Sequence, residues 1–481
     1  MAPGSDCTYA CHTPENGYLR RGQCMSDNGL IQKDRRHLIH SVLSWGEHER
    51  RGATILTSGD GVWLTDGDGN RLLDAFSGLW CVNIGYGQQS VVAAAAEQMA
   101  RLPYATNYFH FASESAVELA ARLAERAPGD LDHVFFTQGG SDAVDTAIRL
   151  IRYYFNVTGR PEKKHMIAVD RGYHGSSAAG SGITGLAVFH THFDAPVATQ
   201  HHIPTAWPYR FDGSDADLIA ASVRHLRAKV AEIGPDRVAA FFAEPVVGSG
   251  GVIVPPDGWF RAMRDTCAEL DIVFVADEVI TGFGRTGPMF GSAYDGVAPD
   301  VMTLAKGLTS GYVPMGATLL SDRLYRAIVD ASGKAVIGHG QTYSGHPVSA
   351  AVGLEVLRLY EEGGIIANGQ ASGAHLASAL TALSDHPLVG DVRSRGLLAC
   401  IELVTDKVAK TRPDPALGLP DALARCGFER RVLFRAFGDA MIGLAPPLIS
   451  TIDEIDEMVA RVKSTLDDML AIPAIREALN G

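Results

Sequence analysis

Ile272-Val273-Phe274-Val275-Ala276-Asp277-Glu278 and Val301-Met302-Thr303-Leu304-Ala305-Lys306-Gly307 follow one plan: an apolar run that stops at a charged residue. The same texture recurs at Val134-Phe135-Phe136, Met166-Ile167-Ala168-Val169 and Ala239-Ala240-Phe241-Phe242-Ala243. Amphipathic stretches such as Ala116 to Arg126 and Trp259 to Leu270 lie between the runs. Nearly continuous apolar strands alternating with helices, from about residue 90 to 320, predict an α/β fold with a mostly parallel sheet covered on both faces. In such a sheet the ligand crevice lies at the carboxyl ends of the strands, so the residues just after each run carry the chemistry.

Three places stand out on that rule. Thr137-Gln138-Gly139-Gly140-Ser141 precedes a helical pattern through Tyr154 with an apolar stripe of Val144, Ala147, Ile148, Ile151 and Phe155. Glycines let backbone amides approach a ligand, and a helix start offers free N–H groups and partial positive charge, which together make a phosphate cradle. The plain alternative is Ser141 as an N-cap. Asp277 can hold a proton on a ring nitrogen; its plain alternative is a turn cap. Lys306, in a Gly-containing turn, can be desolvated and made nucleophilic towards carbonyls, although most lysines are solvated surface charges. An anion cradle, a strand-end Asp and a strand-end Lys are jointly the parts that hold pyridoxal 5'-phosphate.

The run from Val273 through Asp277-Glu278-Val279-Ile280-Thr281-Gly282-Phe283-Gly284-Arg285-Thr286-Gly287, followed by Pro299-Asp300 and Val301 to Gly307, resembles the signature of class III aminotransferases. Gly172-Tyr173-His174-Gly175, Ala243-Glu244-Pro245-Val246 and Thr342-Tyr343-Ser344-Gly345-His346-Pro347 match the same family in order and spacing. Gly78-Leu79-Trp80-Cys81-Val82-Asn83-Ile84-Gly85-Tyr86-Gly87 and Phe434-Arg435-Ala436-Phe437-Gly438-Asp439 look most like its ω-amine:pyruvate branch. The resemblance covers roughly residues 35 to 470. It implies the fold type I pyridoxal-phosphate transferase architecture, with a seven-stranded-type sheet in a large domain and a smaller α+β domain.

The resemblance also implies roles. Lys306 would carry the cofactor covalently, and Asp277 would pair with its pyridine nitrogen with Glu244 nearby. Val279 and Tyr173 would sandwich the ring. Gly140 and Ser141 would bind the phosphate, and Thr342 would reach the phosphate of the neighbouring subunit in a homodimer with shared sites. Trp80, Tyr173 and Arg435 would line the substrate pocket. Gly139 and Val144 depart from the pattern, where relatives often carry a small hydroxyl residue and Asn. The implied reaction is ping-pong transfer of an amino group from an amine or ω-amino acid to a keto acid, pyruvate first among the candidates.

Other readings are weaker. Gly282-Phe283-Gly284-Arg285-Thr286-Gly287 is literally G-x-G-x-x-G after a strand, but Pro288 and Gly291 spoil the helix a nicotinamide site needs, and no strand-end acid follows at the right distance. An aminomutase or racemase could use the same fold, and a non-catalytic binding protein could keep the scaffold without the pair Lys306 and Asp277. Asp66-Gly67-Asp68-Gly69-Asn70 resembles a calcium loop, yet Arg71 and Ser77 stand where Gly and Glu belong. It reads instead as the turn of a hairpin between Val62-Trp63-Leu64 and Arg71-Leu72-Leu73. Cys7, Cys11, His12 and Cys24 match no zinc spacing, and His190, His192, His201 and His202 read as surface or packing residues in a loop, so no metal is expected.

The 481 residues carry a formal charge of −13, which argues against nucleic acid. Scattered cysteines fit a reducing compartment. No stretch reaches the ~20 apolar residues that span a bilayer and the N-terminus has no secretory h-region, so a cytoplasmic location is expected. Expected boundaries are a disordered extension over 1–30 (with Met25 a candidate start), a segment over 31–75 packing with the small domain, a large cofactor-binding domain over 76–344 and a small domain over 345–481. In the last, Leu397 to Leu403, Val432-Leu433-Phe434 and Met441 to Leu444 are expected as strands, Val348 to Glu361 and Asp453 to Met469 as helices.

Overall fold

The computed structural model describes residues 29–479 of the chain; Cys7, Cys11, His12 and Cys24 lie outside the described residues. The chain divides into two compact units, one running to Thr57 and including 65–70, the other formed by 58–64 and everything from Arg71 onward. In the first unit, helices Gly29–His37 and Trp45–Arg51 flank a short connection, the second capped by the Ser44 hydroxyl accepting from the Glu47 amide. Buried Asp34 accepts from His40 at 2.6 Å and faces His48 at 3.2 Å. Asp66 closes its turn by accepting the amides of Asp68 and Asn70 at 3.0 and 2.8 Å.

The second unit holds the predicted sheet. Its seven strands lie in the order His133–Thr137, Gly316–Leu320, Val301–Leu304, Val273–Asp277, Val238–Ala243, His165–Val169 and Gln200–Ile203. Neighbours pair in parallel, except that Gly316–Leu320 runs antiparallel to both of its partners. Val238–Ala243, Val273–Asp277 and Val301–Leu304 are buried along their whole length, which is why they read as unbroken apolar runs. Gln200–Ile203 is a correction: His201 and His202 sit on an edge strand, not in a loop. A four-residue polar strand carries too little periodicity to be seen.

An antiparallel sheet follows in the order Val389–Arg395, Leu398–Leu403, Met441–Leu444, Arg435–Phe437. Helix Pro347–Glu362 precedes it, and Ile452–Leu470, started by a Thr451/Glu454 capping box, closes the lobe. Val432–Leu433 does not join this sheet. It pairs in parallel with Arg71–Asp74, through Leu73 and Asp74.

Candidate active site

Asp277 and Lys306 come from adjacent parallel strands, with Asp277 in register with Thr303, so both emerge at the same carboxyl edge. Lys306 takes a left-handed backbone, φ 45°, an uncommon conformation for a residue with a Cβ. Its Nζ lies 5.7 Å from the centroid of the Trp80 ring. Burial pushes the Lys306 ammonium below the ordinary lysine range, opposed by the charges of Cys81, Asp277 and Glu244. Trp80 is also left-handed, φ 56°, is buried, and packs edge-on against Phe76 at 4.9 Å.

The turn before this edge is held by a buried cation. Arg285 is sealed from solvent and donates to the Asn83 side chain at 2.7 Å, to Ser77 Oγ at 3.3 Å, and to the carbonyls of Leu397 and Pro446. Burial drags its guanidinium down to about 10. Asn83 in turn donates to the Phe283 carbonyl at 3.1 Å. A Cβ on Gly307 would sit 2.7 Å from Asn83 Nδ2, so only glycine fits beside Lys306. The G-x-G-x-x-G match is therefore a packed turn around Arg285, with no helix opening from it.

Asp277 is buried and receives His174 Nδ1 at 2.8 Å and the Val279 amide at 3.1 Å. It thus does cap the turn, and its other oxygen is committed to a histidine. Burial alone would lower the His174 imidazole; the bond to Asp277 and the charges of Asp277 and Glu244 reverse that and hold it above its usual range. Glu244, also buried, accepts the amides of Tyr173 and Gly248, both at 2.9 Å, and burial pushes its carboxyl up to about 7. Glu278 points elsewhere, taking the amides of Gly291 and Ser292 at 2.8 and 2.7 Å.

Helix Gly140–Val157 starts at Gly139 in extended backbone with no side chain capping it, so its first N–H groups remain for a ligand. Ser141 is inside the first turn and is not the N-cap; its Oγ accepts the Ser176 amide at 3.3 Å. A Cβ on Gly140 would sit 2.9 Å from Val279 Cγ1 and 3.7 Å from Ala305 Cβ, and one on Gly175 would sit 2.7 Å from Ser141 Oγ. Gly140, Ser141, Tyr173 and Val279 therefore converge on the edge that carries Asp277 and Lys306. An anion cradle, a buried acid with a histidine behind it and a desolvated amine fit pyridoxal phosphate.

Two further predicted residues lie outside this strand edge. Arg435 is on the edge strand of the antiparallel sheet, its Cζ 5.7 Å from the Phe437 ring, and burial lowers its guanidinium. Thr342 is exposed, its carbonyl accepting the Tyr104 hydroxyl at 2.9 Å, and among the described residues no hydrogen bond joins its side chain to the Lys306 group. The sequence reading missed the role of His174, although it lies inside a quoted motif. It also missed Arg171, which binds Asp439 at 2.7 Å and so links the turn before Tyr173 to the Arg435 strand.

Sheet, cradle, acid and lysine define a fold type I pyridoxal-phosphate-dependent transferase. The chain belongs to the class III aminotransferases: the family model described as aminotransferase class-III matches residues 46–466. A putrescine–pyruvate aminotransferase of Pseudomonas aeruginosa is 43% identical over 91% of this chain and 95% of its own. A diaminobutyrate–2-oxoglutarate transaminase of Halomonas elongata is 38% identical over 91% and 96%. Among solved structures, an (S)-enantioselective ω-transaminase from Thermomicrobium roseum has 40% identity and a TM-score of 0.89 over 92% and 98% of the two chains. The ω-transaminase of Pseudomonas jessenii in complex with PMP has 38% identity and a TM-score of 0.90 over 92% and 98%. The protein is thus a transaminase that moves an amino group from an amine donor to a keto acid with pyridoxal phosphate. That cofactor, when bound, supplies an aldehyde for the amino group and a ring that accepts electrons from the substrate carbon. No helix among the described residues is long and apolar enough to cross a membrane.

Proposed function

We propose that the chain is an amine or ω-amino acid:pyruvate aminotransferase, with Lys306 as the catalytic lysine. The observation that carries this reading is the pairing of a desolvated Lys306 with Asp277, buried on His174, at neighbouring strand ends. Lys306 Nζ would hold the cofactor covalently; once the donor amine has taken its place, the freed Lys306 amine would accept the proton from the substrate carbon and then give it up, as base and then acid. Asp277 would hold the ring nitrogen's proton with Glu244 alongside, Tyr173 and Val279 would hold the ring between them, and Gly140 and Ser141 would bind the phosphate. Trp80, Tyr173 and Arg435 line the substrate pocket.

A diamine donor and a pyruvate acceptor are supported by the putrescine–pyruvate relative, putrescine being a diamine. Assay of diamines, β-alanine-like acids, taurine and aryl-alkyl amines against pyruvate and 2-oxoglutarate tests this. Turnover with pyruvate and at least one carboxylate-free amine is expected; turnover with 2-oxoglutarate alone would refute it.

The enzyme acts as a cytoplasmic homodimer in which Thr342 of the partner subunit completes the phosphate site. Exposed Phe109, Phe111, Tyr104 and Tyr343 support an interface near Thr342. A fully active monomer in light scattering would contradict it. Within each subunit the working division is a large cofactor-binding domain over 76–344 and a small domain over 345–481.

A further inference from the structure

We propose that Phe437 is the seat that holds Arg435 while no carboxylate occupies the substrate pocket, and so sets how strongly the enzyme prefers keto acids over neutral carbonyl acceptors. The proposal rests on the reading of Arg435 as the carboxylate ligand.

Arg435 and Phe437 stand two apart on one strand, so both side chains leave the same face. The guanidinium carbon lies 5.7 Å from the Phe437 centroid. Other cations nearby are paired: Arg171 with Asp439 at 2.7 Å, Arg393 with Asp391 and Glu402 at 2.6 and 2.8 Å. Among the described residues no carboxylate pairs with Arg435, and burial alone accounts for its lowered pKa. A desolvated cation without an anion is costly, and the face of an aromatic ring is the neighbour that offsets part of that cost.

The seat itself is fixed. Phe437 is buried and stacks on Trp80 at 6.3 Å and 26°, the same indole that Lys306 Nζ approaches. Gly443, opposite Arg435 in register, makes room for it: a Cβ there would meet Phe437 Cε2 at 2.6 Å and Arg435 Cβ at 3.4 Å. The ring is thus clamped between Trp80 and Gly443, while the guanidinium rides on a long arm that can leave. A carboxylate must win Arg435 away from Phe437, and the affinity it shows is reduced by that competition.

The test removes the ring face. Phe437→Leu should lower the KM for pyruvate and the inhibition constant of an unreactive short carboxylate such as propionate, by roughly 2- to 30-fold, the range a cation–π contact supports. The KM for a neutral aldehyde should stay within about 2-fold, below the lower end of that range. Phe437→Met, closer in volume, reads the same contrast should the leucine variant fold poorly, and Phe437→Tyr should restore the wild-type ratio. Carboxylate constants that stay unchanged or rise in Phe437→Leu and Phe437→Met overturn the proposal. In an Arg435→Ala background Phe437→Leu should no longer alter the ratio. If Arg435→Ala leaves pyruvate untouched, the Arg435 reading itself fails; if Arg435→Ala acts and Phe437→Leu does not, only the seat fails.

Discussion

His174 places Nδ1 2.8 Å from Asp277 Oδ2, with both side chains shut off from solvent. The acid proposed to pair with the ring nitrogen is therefore oriented by a buried histidine. A hydrogen bond to a charged group contributes about 1.5–3 kcal/mol. His174→Ala should lower kcat by roughly 10- to 150-fold while the protein still binds pyridoxal phosphate. His174→Asn, whose amide can donate from near the Nδ1 position, should recover part of the loss. Asp277→Asn should lose most turnover and still bind cofactor. Wild-type kcat in either Asp277→Asn or His174→Ala would reject the pairing.

Lys306 should be the residue labelled when the holoenzyme is reduced with borohydride and its peptides are mapped by mass spectrometry. Because burial lowers its pKa from 10.5, its neutral amine appears at lower pH than that of a surface lysine. The rate at which cofactor-free protein takes up pyridoxal phosphate should accordingly rise with pH and level off below 10.5. A label on another lysine, or a midpoint at or above 10.5, removes Lys306 from the role.

Glu244 makes stability pH-dependent in cofactor-free protein. Its carboxyl is raised from 4.5 to about 7 by burial, so the folded state favours the protonated form. The stability this contributes is complete below 4.5 and is lost as pH rises through about 7. At ~1.4 kcal/mol per pH unit the ceiling is on the order of 3 kcal/mol. Glu244→Gln should gain stability relative to wild type across that window in urea melts at stepped pH. A constant difference across the window would show that Glu244 does not titrate there.

Arg435→Ala should cost roughly 10- to 150-fold in kcat/KM for pyruvate, the worth of hydrogen bonds to a charged group. A neutral aldehyde acceptor should stay within a few-fold. If both acceptors fall together, or neither falls, Arg435 does not bind the carboxylate.

The strands that carry Asp277 and Lys306 were legible because burial on both faces leaves an unbroken apolar run with one charge at its end. The partners of those charges were not. His174 meets Asp277 across 103 residues of sequence, and nothing local marks the contact. The antiparallel direction of Gly316–Leu320 is likewise a property of pairing, invisible in a five-residue apolar run. Val432–Leu433 has strand composition but found its partner in Arg71–Asp74, because two residues cannot say which sheet they will join. The family resemblance only pointed to Arg435, while its contact with Phe437 depends on the room left at Gly443.

Arg285 has an implication for how the chain is made. Its guanidinium is bonded to Ser77 and Asn83, made early, and to the carbonyls of Leu397 and Pro446, made late. On the ribosome, Asp277 and Lys306 emerge well before residue 446. Until then the cation lacks the Pro446 carbonyl, and before residue 397 it lacks that of Leu397 as well. A chain terminated before residue 397 therefore carries Asp277 and Lys306 with only the Ser77 and Asn83 part of the seat that holds Arg285.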